Sequence, residues 1–204
     1  MLTGKGTDWG GALVRTEATG YGAALFANEM LKARGESLDG MTCLVSGSGN
    51  VALYAIEKIH QLGGRVIACS DSDGVVVDDK GIDIELLKQI KEVERGRVRA
   101  YAERRADARH LDRGNIWEVP CDVALPCATQ NELTGRDAKL LAGNGCTLGA
   151  EGANMPHHTR GHSAVRRRRD RVRSRQSRQR RRRRDLGTGD ATERKPRLVD
   201  ICAH

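Results

Sequence analysis

The sequence predicts an α/β fold with a doubly wound, largely parallel sheet. Three observations carry that expectation. Short apolar runs alternate with stretches of helical period. A glycine-rich turn separates one such run from the helix after it, and the next run returns within the roughly 30 residues of a βαβ unit.

The elements follow in order. From Glu17 to Arg34, Tyr21, Ala24, Leu25, Met30 and Leu31 recur at helical spacings while Glu29, Lys32 and Arg34 fall elsewhere, and Gly35 closes the helix as a C-terminal cap. Thr42 to Val45 reads as a strand that runs into Ser46-Gly47-Ser48-Gly49-Asn50-Val51-Ala52. Ala52, Ala55, Ile56 and Ile59 then keep helical period as far as Gly63-Gly64. Val66 to Cys69 is the second strand, ending in Ser70-Asp71-Ser72-Asp73-Gly74, and the helical crossover makes the two strands parallel. Val75-Val76-Val77 and Asp78-Asp79-Lys80-Gly81 read as an extended excursion and a turn. Ile84 to Val93 reads as a helix carrying Leu86, Leu87, Ile90 and Val93, and Arg95 to Arg113 as a solvated helix and loop. Buried strands resume at Cys121 to Leu125 and Thr147 to Ala150, with a helix from about Arg136 to Leu141 between them.

Charge divides the 204 residues unevenly. Residues 1–156 hold 18 Lys and Arg against 22 Asp and Glu, net −4, whereas residues 157–204 hold 17 against 5, net +12. Of the 17 basic residues 16 are Arg, concentrated between Arg166 and Arg184 with Val172 the one apolar residue among them. No core forms from such a composition, so 157–204 is expected to be a disordered, arginine-rich tail. The acidic balance of the rest excludes a uniformly basic nucleic-acid-binding domain. No apolar run approaches the ~18 residues of a membrane span, and the start Met-Leu-Thr-Gly-Lys lacks the apolar core of a signal peptide, so a cytoplasmic chain is expected. Six cysteines, at 43, 69, 121, 127, 146 and 202, show no metal-ligand spacing and read as buried reduced thiols.

The glycine turn is the feature with chemistry in it. Gly47-Ser48-Gly49-Asn50-Val51-Ala52 fits G-x-G-x-x-A. Gly47 permits a tight turn, Gly49 lets backbone N–H groups approach a pyrophosphate, and Ala52 lets the helix lie close to the sheet; the positive end of the helix dipole favours the anion. Asp71 follows about 20 residues on, where a ribose 2′-OH would be read. These residues predict a Rossmann-like dinucleotide site. The acid favours NAD, while Ser70, Ser72 and a cation such as Lys91 would favour a 2′-phosphate.

Five segments then carry a resemblance: Leu2 to Gly6 with Trp9-Gly10-Gly11, Arg15 to Gly22, Ser46 to Ala52, Pro126 to Leu133, and Ala150 to Pro156. In this order they resemble the cofactor-binding domain of the hexameric bacterial NADP-dependent glutamate dehydrogenases. The resemblance covers residues 2–156. It implies NADP as cofactor, with NAD second, and a homohexamer. It also implies that Thr19 and Asn50 contact NADP, that Ser72 and Lys91 lie around the 2′-phosphate, and that Ala128, Thr129, Gln130 and Asn154 line the nicotinamide end. On this reading 1–16 is a remnant of an interdomain segment and 17–156 the NADP-binding domain.

The family reaction passes hydride between the nicotinamide and the α-carbon of an imine of 2-oxoglutarate and ammonia. Its lysines and proton-shuttling carboxylate belong to a separate N-terminal domain with no counterpart in these residues, so no catalytic residue is expected here and the chain alone is expected to be inactive. After Met155-Pro156 the resemblance ends, and a frameshift near codon 157, real or a sequencing error, is the expected origin of the tail. Codons for Arg181 to Lys195 exist that, read one nucleotide later, give Gly-Gly-Val-Ala-Thr-Ser, the glycine-rich segment the family carries. Two other readings are open: a non-catalytic nucleotide-binding module, and a tail that binds nucleic acid nonspecifically by charge, without base readout because it has no Phe, Tyr or Trp.

Overall fold

The computed structural model describes residue 8, residues 16–153 and residues 200–202. Most of the expected interdomain remnant over 1–16, Asn154, and all but three residues of the expected tail lie outside the described residues. In chain order the elements are α1 (Ala18–Lys32), β1 (Thr42–Val45), α2 (Asn50–Gln61), β2 (Arg65–Ser70), β3 (Gly74–Asp78), α3 (Ile84–Lys88) continued by a π-helical turn (Gln89–Val93), and α4 (Arg99–Arg104). They are followed by β4 (Ala108–Asp112), a 3-10 turn (Ile116–Glu118), β5 (Val123–Leu125), α5 (Gly135–Gly143), β6 (Leu148–Ala150) and β7 (Asp200–Cys202).

The strands form one sheet in the order β4-β3-β2-β1-β5-β6-β7. β2, β1, β5, β6 and β7 are parallel, and β3 and β4 turn antiparallel at one edge. Three residues of the stretch expected to lack structure therefore add a strand beside β6. Strand alternation divides the core in two. Cys43, Val45, Val123 and Leu125 face Leu31, Ile56, Ile59, Leu87 and Ile90 of the helices on one side. Leu44, Ala124, Val75 and Val77 face Trp117, Leu133, Ala138 and Leu141 on the other. Each fully buried Leu or Ile contributes about 1.5–3 kcal/mol of transfer free energy.

Helix ends follow local chemistry. Thr134 and Asp137 form a reciprocal capping box at the start of α5, and Asn115 Nδ2 donates to Asp137 Oδ1 at 2.8 Å, so the burial of this carboxylate is compensated. In α1 the inward face is made of small residues, Gly20, Ala23, Ala24 and Ala27, which lets the helix lie against α2. A Cβ on Gly20 would stand 2.5 Å from Val51 O and 2.7 Å from Ala55 N.

The structure corrects three expectations. Leu25, expected on the inward face of α1, is 45% exposed, because the buried face runs through the small residues instead. Val93, expected in the core, is 68% exposed: α3 widens into the π turn, whose extra residue carries Val93 out of line with Leu87 and Ile90. Residues 108–112, expected as helix or loop, form β4. Their sequence, Ala-Arg-His-Leu-Asp, has no apolar alternation because an edge strand buries neither face fully, and antiparallel pairing with β3 supplies its hydrogen bonds. Cys43, Cys69, Cys121, Cys127 and Cys146 are buried free thiols. Among the described residues no helix is long and apolar enough to cross a membrane.

Candidate functional site

Two loops meet at the carboxyl ends of β1 and β5. After β1 the chain winds to β2 on one side, and later returns to β5 on the other, so the two loops diverge and leave a crevice beyond the carboxyl ends of these two central strands. Gly47 begins the first loop at φ +86°, a conformation that favours glycine. A Cβ there would stand 3.0 Å from Ala128 Cα and 3.2 Å from Ala128 N, closing the gap between the loops. Gly47 N donates to Ser70 Oγ at 3.0 Å, tying the turn to the end of β2.

Gly49 is the N-cap of α2, and no side chain caps that end. A Cβ on Gly49 would meet nothing within 4 Å, so the first N–H groups of the helix, from Asn50 and Val51 onward, are approachable. Twelve residues of α2 add their dipoles at this end. Ser48 is buried beneath the turn, and Asn50 Nδ2 donates to Thr16 O at 2.6 Å, which fixes the entry to α1. Thr19 is exposed on α1, beside the Gly20 contact with Val51.

The second group lies at the end of β2. Asp71 was expected to offer its carboxylate to a ribose, and the structure engages both oxygens within the protein. Oδ1 accepts from Asp73 N at 2.8 Å, while Oδ2 accepts from Val98 N at 3.0 Å and from Lys91 Nζ at 3.3 Å. Burial alone would raise this carboxyl, but the Asp73 and Val98 N–H groups and the Lys91 ammonium outweigh it and hold the group below its ordinary value. Lys91 Nζ also donates to Gly96 O at 2.8 Å, so Lys91 neutralises Asp71 and keeps one further N–H. Ser72 Oγ accepts from Arg97 Nη1 at 2.6 Å on the exposed surface. Arg97 was not singled out from the sequence, where it is one of many arginines between 95 and 113; its partner across the turn is visible only in the fold.

The third group is the loop after β5, in which Ala128, Thr129 and Gln130 are exposed. The structure thus brings Gly47, at the head of the turn that leads into Gly49, Asn50 and Val51, against Ala128, pairs Asp71 with Lys91, and pairs Ser72 with Arg97. Asn154 lies outside the described residues. Glu132, also not singled out, folds back on the loop, its Oε1 accepting from Ala128 N at 3.1 Å.

Comparison with known proteins agrees with this geometry. Residues 10–171 match the family model described as Glutamate/Leucine/Phenylalanine/Valine dehydrogenase. The chain is 53% identical over 163 residues to the NADP-specific glutamate dehydrogenase of Helicobacter pylori, an alignment covering 76% of this chain and 36% of that protein. It is 50% identical over 159 residues to the NADP-specific glutamate dehydrogenase of Escherichia coli, covering 76% and 35%. Among solved structures it resembles Plasmodium falciparum glutamate dehydrogenase with a TM-score of 0.75 and 42% identity, over 81% of this chain and 36% of that one. The hetero-hexameric glutamate dehydrogenase of Thermus thermophilus matches with a TM-score of 0.62 and 25% identity, over 79% and 36%. The chain thus spans about a third of the length of the relatives it matches. With the family model covering most of its length and the glycine turn set at the sheet's reversal point, the chain belongs to the glutamate/leucine/phenylalanine/valine dehydrogenase family.

Proposed function

We propose that the chain provides the cofactor-binding part of an NADP-dependent glutamate dehydrogenase, acting in the reversible oxidative deamination of L-glutamate to 2-oxoglutarate and ammonia. The observation that carries the reading is the uncapped N-terminus of α2 behind Gly47 and Gly49, open to a pyrophosphate and flanked by the Ser72–Arg97 pair. NADP, when bound, exchanges hydride with the substrate. The residues of this chain hold it: the N–H groups of the α2 end take the pyrophosphate, and the Ala128–Gln130 loop borders the other half of the dinucleotide. Preference for the 2′-phosphate follows from charge. Asp71 is neutralised by Lys91 and turned inward, so it repels an added phosphate little, whereas the exposed Arg97 guanidinium and the Ser72 hydroxyl face the place where that phosphate would lie.

Support also comes from the names of the relatives, NADP-specific in Helicobacter pylori and Escherichia coli. Assembly with further copies belongs to the same reading, by likeness to the hetero-hexameric Thermus enzyme. Residues 1–204 alone are expected to bind cofactor without turning over glutamate, because the lysines and carboxylate the reaction needs have no counterpart among them. Titration with NADPH and NADH, followed by cofactor fluorescence, tests the reading. NADPH is expected to bind more tightly, and Arg97→Ala to weaken NADPH by about tenfold while leaving NADH unchanged. Equal affinities for the two cofactors in the unsubstituted chain would overturn the preference, and steady glutamate-dependent NADPH formation would overturn the expected inactivity.

A further inference from the structure

The loop after β5 is secured by a carboxylate that meets no cation among the described residues. Glu132 Oε1 accepts the N–H of Ala128 at 3.1 Å, and the same carboxylate accepts from the N–H of Thr129 and the hydroxyl of Ser46. Ser46 Oγ in turn accepts the N–H of Cys127 at 2.9 Å, which leaves its single proton to donate to Glu132. Burial pushes this carboxyl up, and the three donors pull against that shift. The N–H groups of three successive residues, Cys127 to Thr129, are thereby gathered by one serine and one glutamate. Next in the loop, Asn131 sits at φ +56°, a turn that reverses the chain and returns Glu132 onto the backbone it holds.

The location gives this network its meaning. Ser46 is the last residue before Gly47, and Ala128 is the residue that packs against Gly47. The Ser46–Glu132 pair therefore links the glycine turn to the facing loop and sets the width of the crevice between them. In a doubly wound sheet the pyrophosphate marks the middle of a dinucleotide; the adenosine half lies over the end of β2 and the other half over the β5 side. Ser72 and Arg97 are on the first side, and Glu132 is on the second.

We infer that Glu132 is a positioning residue for the nicotinamide half of the cofactor, holding the Ala128–Gln130 loop at its distance from the glycine turn without touching the cofactor itself. The inference rests on the cofactor reading above. A carboxylate suits the task better than an amide, since it accepts from all three donors at once and makes each hydrogen bond charge-assisted. The exposed backbone of residues 128–130 has no helix or strand to fix it, and Glu132 holds it at Ala128 just after Ser46 has held it at Cys127.

The experiment compares two probes on the full chain by calorimetric titration: NADPH, and 2′,5′-ADP, which carries the adenosine half and the 2′-phosphate but no nicotinamide. Glu132→Ala is expected to weaken NADPH by about tenfold and to leave 2′,5′-ADP unchanged, a split that general loss of structure would not produce. Glu132→Gln, whose carbonyl oxygen still accepts from Ala128, is expected to recover part of the loss. Where the alanine variant fails to fold, Glu132→Asp, one methylene too short to reach Ala128, is expected to show the same split. Equal weakening of both probes, or unchanged NADPH affinity, would overturn the inference while leaving the cofactor reading intact. If the unsubstituted chain bound neither probe, the cofactor reading would fall and the inference with it.

Discussion

Substituting alanine at two glycines of α1, two residues apart, is expected to move stability in opposite directions. Gly22 is exposed, and a Cβ there would meet nothing within 4 Å. Gly22→Ala therefore gains helix propensity alone, about 0.5–1 kcal/mol. Gly20 faces α2, where a Cβ would stand 2.5 Å from Val51 O, 2.7 Å from Ala55 N and 2.9 Å from Tyr54 C. All three are backbone atoms, so no rotamer change relieves the contact, and the helices must separate by about 1 Å at a cost of about 1–3 kcal/mol. The propensity gain offsets part of that cost, leaving Gly20→Ala about 0–2.5 kcal/mol less stable than the parent; because both variants share that gain, Gly20→Ala lies below Gly22→Ala by the steric cost alone, about 1–3 kcal/mol. For a chain of this size each kcal/mol moves the melting midpoint by about 2–4 °C. Urea unfolding followed by far-ultraviolet circular dichroism measures both variants against the parent, with unchanged slopes expected. If Gly20→Ala proved as stabilising as Gly22→Ala, α1 would not lie on the first turn of α2, and the placement of Thr19 beside the cofactor end of that helix would fall as well.

Two further predictions concern buried polar groups. Because the Asp71 carboxyl is held below its ordinary value, its contribution to stability is complete above the unfolded value of about 3.9 and is lost as pH falls through the lower folded value. Asp71→Asn is expected to flatten the decline in stability below about pH 4, and acid-unfolding curves of equal slope in parent and variant would contradict the network described around it. Burial pushes the Tyr101 phenol up to about 12, so at neutral pH it stays protonated, donating to Asp78 Oδ2 at 3.1 Å and accepting from Asp83 N at 2.7 Å. Tyr101→Phe strips both partners at a fully buried position and is expected to cost about 2 kcal/mol in urea unfolding; a loss under about 0.5 kcal/mol would show that the contact does not matter.

The parts of this fold that the sequence made legible are those where burial and backbone geometry constrain the same residues. The run from Thr42 through Gly47 to Cys69 is such a stretch: both strands are buried on both faces, the helix between them keeps its period, and Gly47 combines a positive φ with a close approach to Ala128. β4 was not legible, since an edge strand held by backbone pairing leaves no hydrophobic period in Arg109, His110, Leu111 and Asp112. The π turn was hidden for a related reason. Leu86, Leu87 and Ile90 fit an ordinary helix, and one inserted residue changes only where Lys91 and Val93 point. At the site, the glycines were readable because their chemistry is local. The partnerships of Lys91 with Asp71, Arg97 with Ser72, and Glu132 with Ser46 span 20, 25 and 86 residues, distances at which neither spacing nor composition selects one charged side chain over its neighbours.

The antiparallel margin of the sheet also bears on how copies of this protein behave toward one another. Unpaired N–H and C=O groups along β4 would accept another strand, and a flat apolar edge there would let sheets grow by accretion. Instead Arg109 reaches back to Asp79 at 2.8 Å and Asp112 to Arg99 at 3.1 Å, with Lys80 bound to Asp107 at 2.7 Å just before the strand begins. An incoming chain would have to break these pairs or bury them, at a cost that rises as water is excluded. The short, ionic strand thus works as a terminator: the hydrogen-bonding continuity that builds the sheet through β1 and β5 is brought to a close at β4 by side chains that a neighbour cannot match without loss.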